Sequence, residues 1–237
     1  TQWNNSFNKV LFKKLLKNKK TVCTGYAYLI RELCTLANIE SKIIDGYGRS
    51  ATANIGKLSI PNHSWNAVKL NDKWYLVDAT WSAGYTDLST NTFIFDYNDG
   101  YFLTEPKLFA KNHFPLDKKW LQISENNFST DTFINAPLVY GETFKNEIIP
   151  TSPLTLKNKI SKNKEFILVF KLTKSIEKKK IQLLISGNSS IKKVIPKITI
   201  EKQTLTIKHQ FGKKGFYDLH LMFDGKPQVT YTFKVNK

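Results

Sequence analysis

An α+β first half followed by an all-β second half is the fold class this sequence predicts, and three observations predict it. Helix-like and strand-like segments mix up to about residue 123, and all 5 tryptophans and both cysteines fall there. The character of the sequence changes across residues 124–135. Beyond residue 136 nothing reads as a helix, and apolar residues alternate with polar ones in short runs separated by turn residues. At 237 residues the chain is long enough for two domains, which the composition shift sets at 1–125 and 136–237.

The first segment, Phe7-Asn-Lys-Val-Leu-Phe-Lys-Lys-Leu-Leu16, supplies one short amphipathic helix. A second helix starts at Cys23, with apolar residues at Ala27, Ile30, Leu33, Cys34 and Ala37 in the i, i+3, i+4, i+7 spacing. A thiol at a helix N-terminus meets the positive end of the dipole and unpaired N–H donors, so its thiolate is favoured. That is the state a cysteine nucleophile needs. Gly25 and Tyr26 follow it, where a small residue lets the helix start pack closely and Tyr26 supports the site. Cys34 lies eleven residues further on nearly the same stripe, and reads as an inert inward-packing residue. Gly46 and Gly48 flank Tyr47 and read as points of backbone permissiveness.

Residues 64–70 and 73–79 read as two strands joined by the two-residue turn Asn71-Asp72. If Leu70 pairs with Lys73, His63 lies opposite Thr80, and Asp78 shares its face. Such diagonal neighbours stand roughly 7–8 Å apart, within reach of a carboxylate for an imidazole. A slip of one residue would send Asp78 to the other face, so the inference depends on that turn. The pair gives His63 a partner that fixes its tautomer and stabilises its charge. Trp65 shares the His63 face and shields the pair from water, whereas parity puts Asn66 on the opposite face.

The second half carries Phe166–Leu172, Lys180–Ile185, Val194–Ile200, Thr204–Lys208, Tyr217–Phe223 and Gln228–Val235 as strand-like runs. Their alternation suits an antiparallel sandwich. Gly215-Phe-Tyr217-Asp-Leu219 resembles a tyrosine corner, with Leu219 where an immunoglobulin domain carries its second cysteine. Residues 136–237 therefore read as an immunoglobulin-like β-sandwich without a disulfide.

Three blocks, around Cys23, Asn62-His63-Ser-Trp65-Asn66 and Asp78-Ala-Thr-Trp81, resemble in order and spacing the transglutaminase-like superfamily of papain-type cysteine enzymes. Tyr101-Phe-Leu-Thr-Glu-Pro and His113-Phe-Pro-Leu-Asp-Lys-Lys-Trp120 extend the likeness to the bacterial members of its kyphoscoliosis-peptidase branch, over roughly residues 9–123. The resemblance implies a papain/transglutaminase-like core and a Cys23, His63, Asp78 triad. Two departures stand out. Thr21 occupies a position where the family usually has glycine, and only 22 residues precede Cys23, fewer than the helices ahead of it in relatives. In papain-like enzymes an upstream side chain helps form the oxyanion hole; Gln2 and Trp3 are the polar-aromatic candidates. His113 reads as a structural residue of the closing segment, and His209 and His220 carry no constellation. No Cys or His falls at metal-ligand spacing from Cys23, so neither a metal nor a cofactor is implied.

The net charge of +17 is uneven: residues 1–125 hold 16 Lys+Arg against 11 Asp+Glu, and residues 126–237 hold 20 against 8. Arg31 and Arg49 are the only arginines. The lysines alternate along strands without an arginine fork or stacking motif, which sets nucleic acid aside. They read first as a solvated surface, then as an attraction to anionic surface polymers or acidic proteins. No stretch approaches the about 20 apolar residues of a transmembrane helix. The chain begins with Thr, so an N-terminal piece is expected to be missing, and a secreted or periplasmic product is the expected setting.

The same triad serves three functional classes. A cysteine hydrolase of peptide or amide bonds is the preferred reading, with a protein or peptide as substrate. A protein-glutamine acyl transferase would use the same thioester with a lysine amine as acceptor. A catalytically silent scaffold would keep the fold without turnover. Trp65, Trp74 and Trp81 read as core and triad support rather than as the frame of an acceptor tunnel, which favours hydrolysis.

Overall fold

The structure is a computed structural model and describes residues 13–87, 89–123 and 128–237. Gln2, Trp3 and most of the expected first helix lie outside the described residues; residues 13–18 are helical. Helix α1 (Cys23–Leu36) begins at the nucleophile candidate. It packs on β1 (Ser41–Gly48) and β2 (His63–Leu70) of a five-stranded sheet. That sheet also holds β3 (Lys73–Val77), β6 (Phe102–Thr104) and β7 (His113–Pro115), in the order β6-β3-β2-β1-β7. Between β3 and β6 lie the short helix α2 (Ala79–Ala83) and the hairpin β4 (Gly84–Asp87) and β5 (Thr92–Phe95). Helix α3 (Pro106–Phe109) leads into β7.

The β2–β3 register is the expected one: Leu70 pairs with Lys73 and Asn66 with Val77. Asn71 and Asp72 both adopt positive φ, 49° and 61°, as a two-residue primed turn between twisted strands requires. The pairing stops at Val77, however. Asp78 becomes the N-cap of α2, so it reaches His63 from a helix start and not as a diagonal strand neighbour.

Two short helices follow where none was expected: α4 (Thr130–Asn135) and α5 (Gly141–Asn146). Ser129 caps α4 and Glu142 sits in the first turn of α5, signals too brief to outweigh the β-rich surroundings. Strand β8 (Leu138–Val139) lies between them.

The remaining strands are β9 (Ile148–Ser152), β10 (Lys157–Ser161), β11 (Glu165–Leu172), β12 (Ile181–Gly187), β13 (Ser190–Val194), β14 (Lys197–Glu201), β15 (Thr204–Gln210), β16 (Gly215–Phe223) and β17 (Lys226–Asn236). They form two facing sheets, β10-β17-β16-β12-β13 with β8 on β17, and β14-β15-β11-β9. The run Val194–Ile200 is not one strand. Pro196 has no N–H to give a ladder, and the chain changes sheets there, from β13 to β14. Alternation holds the layers together: Leu168, Phe170, Leu205, Ile207, Leu183, Leu219, Leu221 and Tyr231 are fully buried between the sheets. The Tyr217 hydroxyl donates to the Lys213 carbonyl at 2.9 Å, the contact a tyrosine corner makes.

One apolar core runs through both halves, from Trp65, Leu76 and Phe109 through Tyr101 and Phe144 to Ile148 and Phe170. Phe144 of α5 stacks on Tyr101 at 4.3 Å, so this helix walls the first half although it follows the composition boundary. Arg49 leaves β1 buried and donates to the carbonyls of Ile134 (3.3 Å), Ala136 and Pro137 (2.9 Å). Burial lowers its pKa to about 10, so it keeps its charge at neutral pH.

Candidate active site

Cys23 is the first residue of α1 and is half-buried, so the thiol stays within reach of solvent. Val22 occupies the N-cap and brings no side-chain acceptor; the Gly25 and Tyr26 N–H groups donate to its carbonyl, and the Thr24 N–H is the first-turn donor left to the thiol. Hydrogen bonding to His63 lowers the Cys23 pKa most; burial opposes it, and the backbone N–H groups of Ser64 and Thr24 add to the lowering. Asn66, on the opposite face of β2, ties this helix in place: its Nδ2 donates to the Ala27 carbonyl at 2.9 Å. The expected inward stripe of α1 holds only in part. Ala27 and Tyr28 are buried, Leu33 is exposed, and Cys34 is half-buried rather than packed in the core.

His63 donates from Nε2 to Asp78 Oδ2 at 2.7 Å, which leaves Nδ1 for the thiol. Burial works against its charge, but the Asp78 carboxylate and Cys23 outweigh that and raise its pKa to about 9. Trp81 stacks on its ring at 4.6 Å, and Trp65, 1% exposed, lies 6.0 Å away. Gly48 supplies clearance rather than flexibility. A Cβ there would stand 3.0 Å from the His63 Cβ and 3.1 Å from Trp81. Gly46 does the same beside Trp65, where a Cβ would meet the indole at 2.6 Å.

Asp78 is fully buried and accepts four hydrogen bonds. Oδ1 takes the Thr80 and Trp81 N–H groups at 2.9 and 3.1 Å; Oδ2 takes His63 at 2.7 Å and His113 at 3.0 Å. Burial would raise its pKa, but the His63 charge and the two imidazole hydrogen bonds hold it far below the carboxylate range. Tyr26, on the first turn of α1, is half-buried, and none of its described contacts reaches this cluster.

His113 is the residue sequence reasoning passed over. It sits in β7, which pairs with β1 so that Gly48 faces His113, while β1 Gly46 faces His63 on the other side. A long connection brings β7 in, and no hairpin arithmetic could place it. The His-Phe-Pro block was visible, but its geometry was not. Asn112 was likewise unassigned, whereas Trp81, read as core and triad support, stacks on the His63 ring.

The ligand atoms of His63, Asp78 and His113 lie within 4.8 Å of one another, a residue set that metals use. Here both imidazoles share one carboxylate oxygen at 2.7 and 3.0 Å. These are hydrogen-bond lengths, shorter than the about 3.3–3.6 Å that separates two ligand atoms on one tetrahedral zinc with about 2.0–2.2 Å bonds, and the set is explained as a hydrogen-bonded cluster.

Residues 4–79 match the transglutaminase-like superfamily. The chain is 36% identical over 143 residues to kyphoscoliosis peptidase of Mus musculus, covering 60% of this chain and 22% of that protein. It is 42% identical over 108 residues to the Homo sapiens kyphoscoliosis peptidase, covering 45% and 16%. Hillarin of Drosophila melanogaster is 29% identical over 144 residues, covering 55% and 18%. The chain thus spans at most about a fifth of the length of these relatives. Among solved structures, the Lin-41 filamin domain covers 33% of this chain and 82% of its own, at 13% identity and TM-score 0.28. A likeness that slight carries no weight beside the strand pairing itself. The order Cys23, His63, Asp78, the matched superfamily and these relatives agree: the chain carries a transglutaminase-like domain and is related to the kyphoscoliosis peptidases.

Proposed function

We propose that this chain is a cysteine hydrolase of peptide or amide bonds, with Cys23 as nucleophile, His63 as proton carrier and Asp78 as its orienter. The observation that carries the reading is the His63–Asp78 contact: a 2.7 Å hydrogen bond, buried, beside a thiol whose pKa it helps to lower. The Cys23 thiolate would attack the substrate carbonyl carbon, and the oxyanion would meet the Cys23 backbone N–H, which has no acceptor within the helix. His63 would give its proton to the leaving amine as the C–N bond breaks, leaving a thioester. Water, deprotonated by His63, would then attack the thioester and release the acid and the thiolate. Trp65 and Trp81 support the reading by covering His63 while Cys23 stays accessible.

The substrate in this reading is a protein or peptide. Its catalytic unit spans 1–125, and the sandwich at 136–237 presents lysines toward an anionic partner. The test is a peptide library incubated with the wild-type chain and with Cys23→Ala, with and without a fluorescent primary amine. New peptide termini that depend on Cys23 support hydrolysis. Amine incorporation without cleavage would replace it by acyl transfer, and no Cys23-dependent product would leave the scaffold reading.

A further inference from the structure

We infer that His113 is a positioning residue for this centre, a second imidazole that holds the same Asp78 oxygen its working histidine uses. The inference rests on the cysteine-enzyme reading and adds a member to the constellation.

Asp78 Oδ2 is shared: His63 Nε2 lies at 2.7 Å and His113 Nε2 at 3.0 Å, with the two rings 5.5 Å apart. His113 is 1% exposed and stacks face-on against Phe109 at 3.8 Å; Trp65 and Tyr101 meet it edge-on at 5.0 and 6.1 Å. Such a ring has little freedom to move. Burial disfavours its cation most and the neighbouring His63 charge disfavours it further, while the hydrogen bond and charge of Asp78 and a hydrogen bond to the Phe109 backbone oppose both; the result is a pKa of about 4. His63 carries the charge and His113 stays neutral, so a single carboxylate faces one cation rather than two.

A neutral imidazole has one N–H, and the Asp78 carboxylate can only accept, so the proton belongs on Nε2 and Nδ1 must accept. Asn112 Oδ1 lies 2.7 Å from Nδ1, and Asn112 Nδ2 donates to the Tyr101 hydroxyl at 3.4 Å. A carbonyl oxygen facing an unprotonated Nδ1 would set two acceptors against each other. Turning the amide, so that Nδ2 faces His113 and Oδ1 faces Tyr101, gives an unprotonated Nδ1 its donor. The chain then runs one way: Tyr101 O–H to Asn112, Asn112 N–H to His113, His113 N–H to Asp78. It ends on the oxygen that His63 uses. Tyr101 is buried, and burial drives its pKa upward, so its hydroxyl keeps the proton it donates. The consequence for Asp78 is that neither oxygen is free to turn, since Oδ1 is held by two backbone N–H groups and Oδ2 by two imidazoles.

The test compares His113→Phe, which keeps a flat ring but no donor, with His113→Gln, whose amide offers an N–H near the Nε2 position. The readouts are the pH profile of Cys23 alkylation by iodoacetamide and the downfield imidazole N–H resonances of histidine-labelled protein. Expected for wild type are two protected imidazole N–H protons and a His113 ring in the neutral Nε2–H form. His113→Phe should lose one resonance, displace the other, and slow alkylation below pH 7 by about tenfold, the effect of one lost hydrogen bond to a charged group. His113→Gln should recover most of that rate. Wild-type alkylation kinetics in His113→Phe would overturn the inference, as would equal losses in both variants. So would a doubly protonated His113 in the wild type, a measurement that needs no variant to fold. If wild-type Cys23 itself is unreactive below pH 7, the enzyme reading fails instead, and the resonances still decide whether His113 donates to Asp78.

Discussion

The two halves of the chain bury different chemistry. Before residue 124 the interior holds Arg49, Asn54, His63, Asn66, Asp78, Asn98, Asn112 and His113 among its apolar side chains. After it, the buried polar residues among those described are Thr143, Gln228 and Thr230, and the rest of the sandwich core is aliphatic and aromatic. Burying a polar group costs free energy unless a partner is waiting; His63, Asp78 and His113 find theirs in one another, whereas Arg49 Nε, Trp65 Nε1 and Asn66 Oδ1 of the same half are buried without one, and the second half relies on area. The charge is placed inversely. The half with the larger lysine surplus keeps it on the outside, whereas the less charged half holds an ion pair inside. A chemistry that needs fixed protonation states belongs in the first kind of interior.

The sharpest break in this comparison is Asp78→Ala. It leaves two buried imidazoles without their acceptor and should cost about 3–5 kcal/mol of stability while abolishing the low-pH reactivity of Cys23; urea unfolding and alkylation measure the two effects. Asp78→Asn keeps the volume but offers His63 the wrong hydrogen-bond partner, and should lower any hydrolytic rate by up to about 10⁴-fold with a smaller stability loss. Leu168→Ala probes the other half: a fully buried aliphatic side chain should cost about 2–5 kcal/mol, with an unchanged alkylation profile in the folded protein. Acid sensitivity should come from the first half too. The folded pKa of His113, about 4, lies below its unfolded 6.5, so the unfolded chain binds more protons between these values and stability falls as pH falls through that window. His113→Phe removes that component, which thermal unfolding at pH 7 and pH 4.5 would show as a smaller drop than in wild type. The smallest effect belongs to Lys192→Thr with Lys193→Thr on the edge strand β13. Stability should stay within about 0.5 kcal/mol, while light scattering should register more self-association once the edge loses its charges.

What the sequence made legible follows the range of each signal. Local signals succeeded: the helix starting at Cys23, the Asn71-Asp72 turn that sets the register of β2 against β3, the Tyr217 corner and the alternation of β11, β12 and β17. The meeting of His63 with Asp78 was foreseen, but by the wrong route, since Asp78 arrives as a helix cap after the ladder has ended. Signals shorter than their surroundings failed: α4 and α5 span six residues each, and Pro196 was not weighed as the place where a strand must leave its sheet. The role of His113 was illegible because it depends on β7 joining the far side of β1, a pairing that no local spacing encodes. Gly46 and Gly48 read as permissive backbone in the sequence but serve clearance against Trp65 and His63, a property of packed neighbours.

The central claim is that Cys23 and His63 form an ion pair held by Asp78, and the most direct measurement is the rate of Cys23 alkylation against pH in wild type, His63→Ala and Cys23→Ala. The account predicts one thiol that reacts fast below pH 7, is absent in Cys23→Ala and slows in His63→Ala. A Cys23 that titrates as a free thiol near pH 8.5, indifferent to His63, would contradict it.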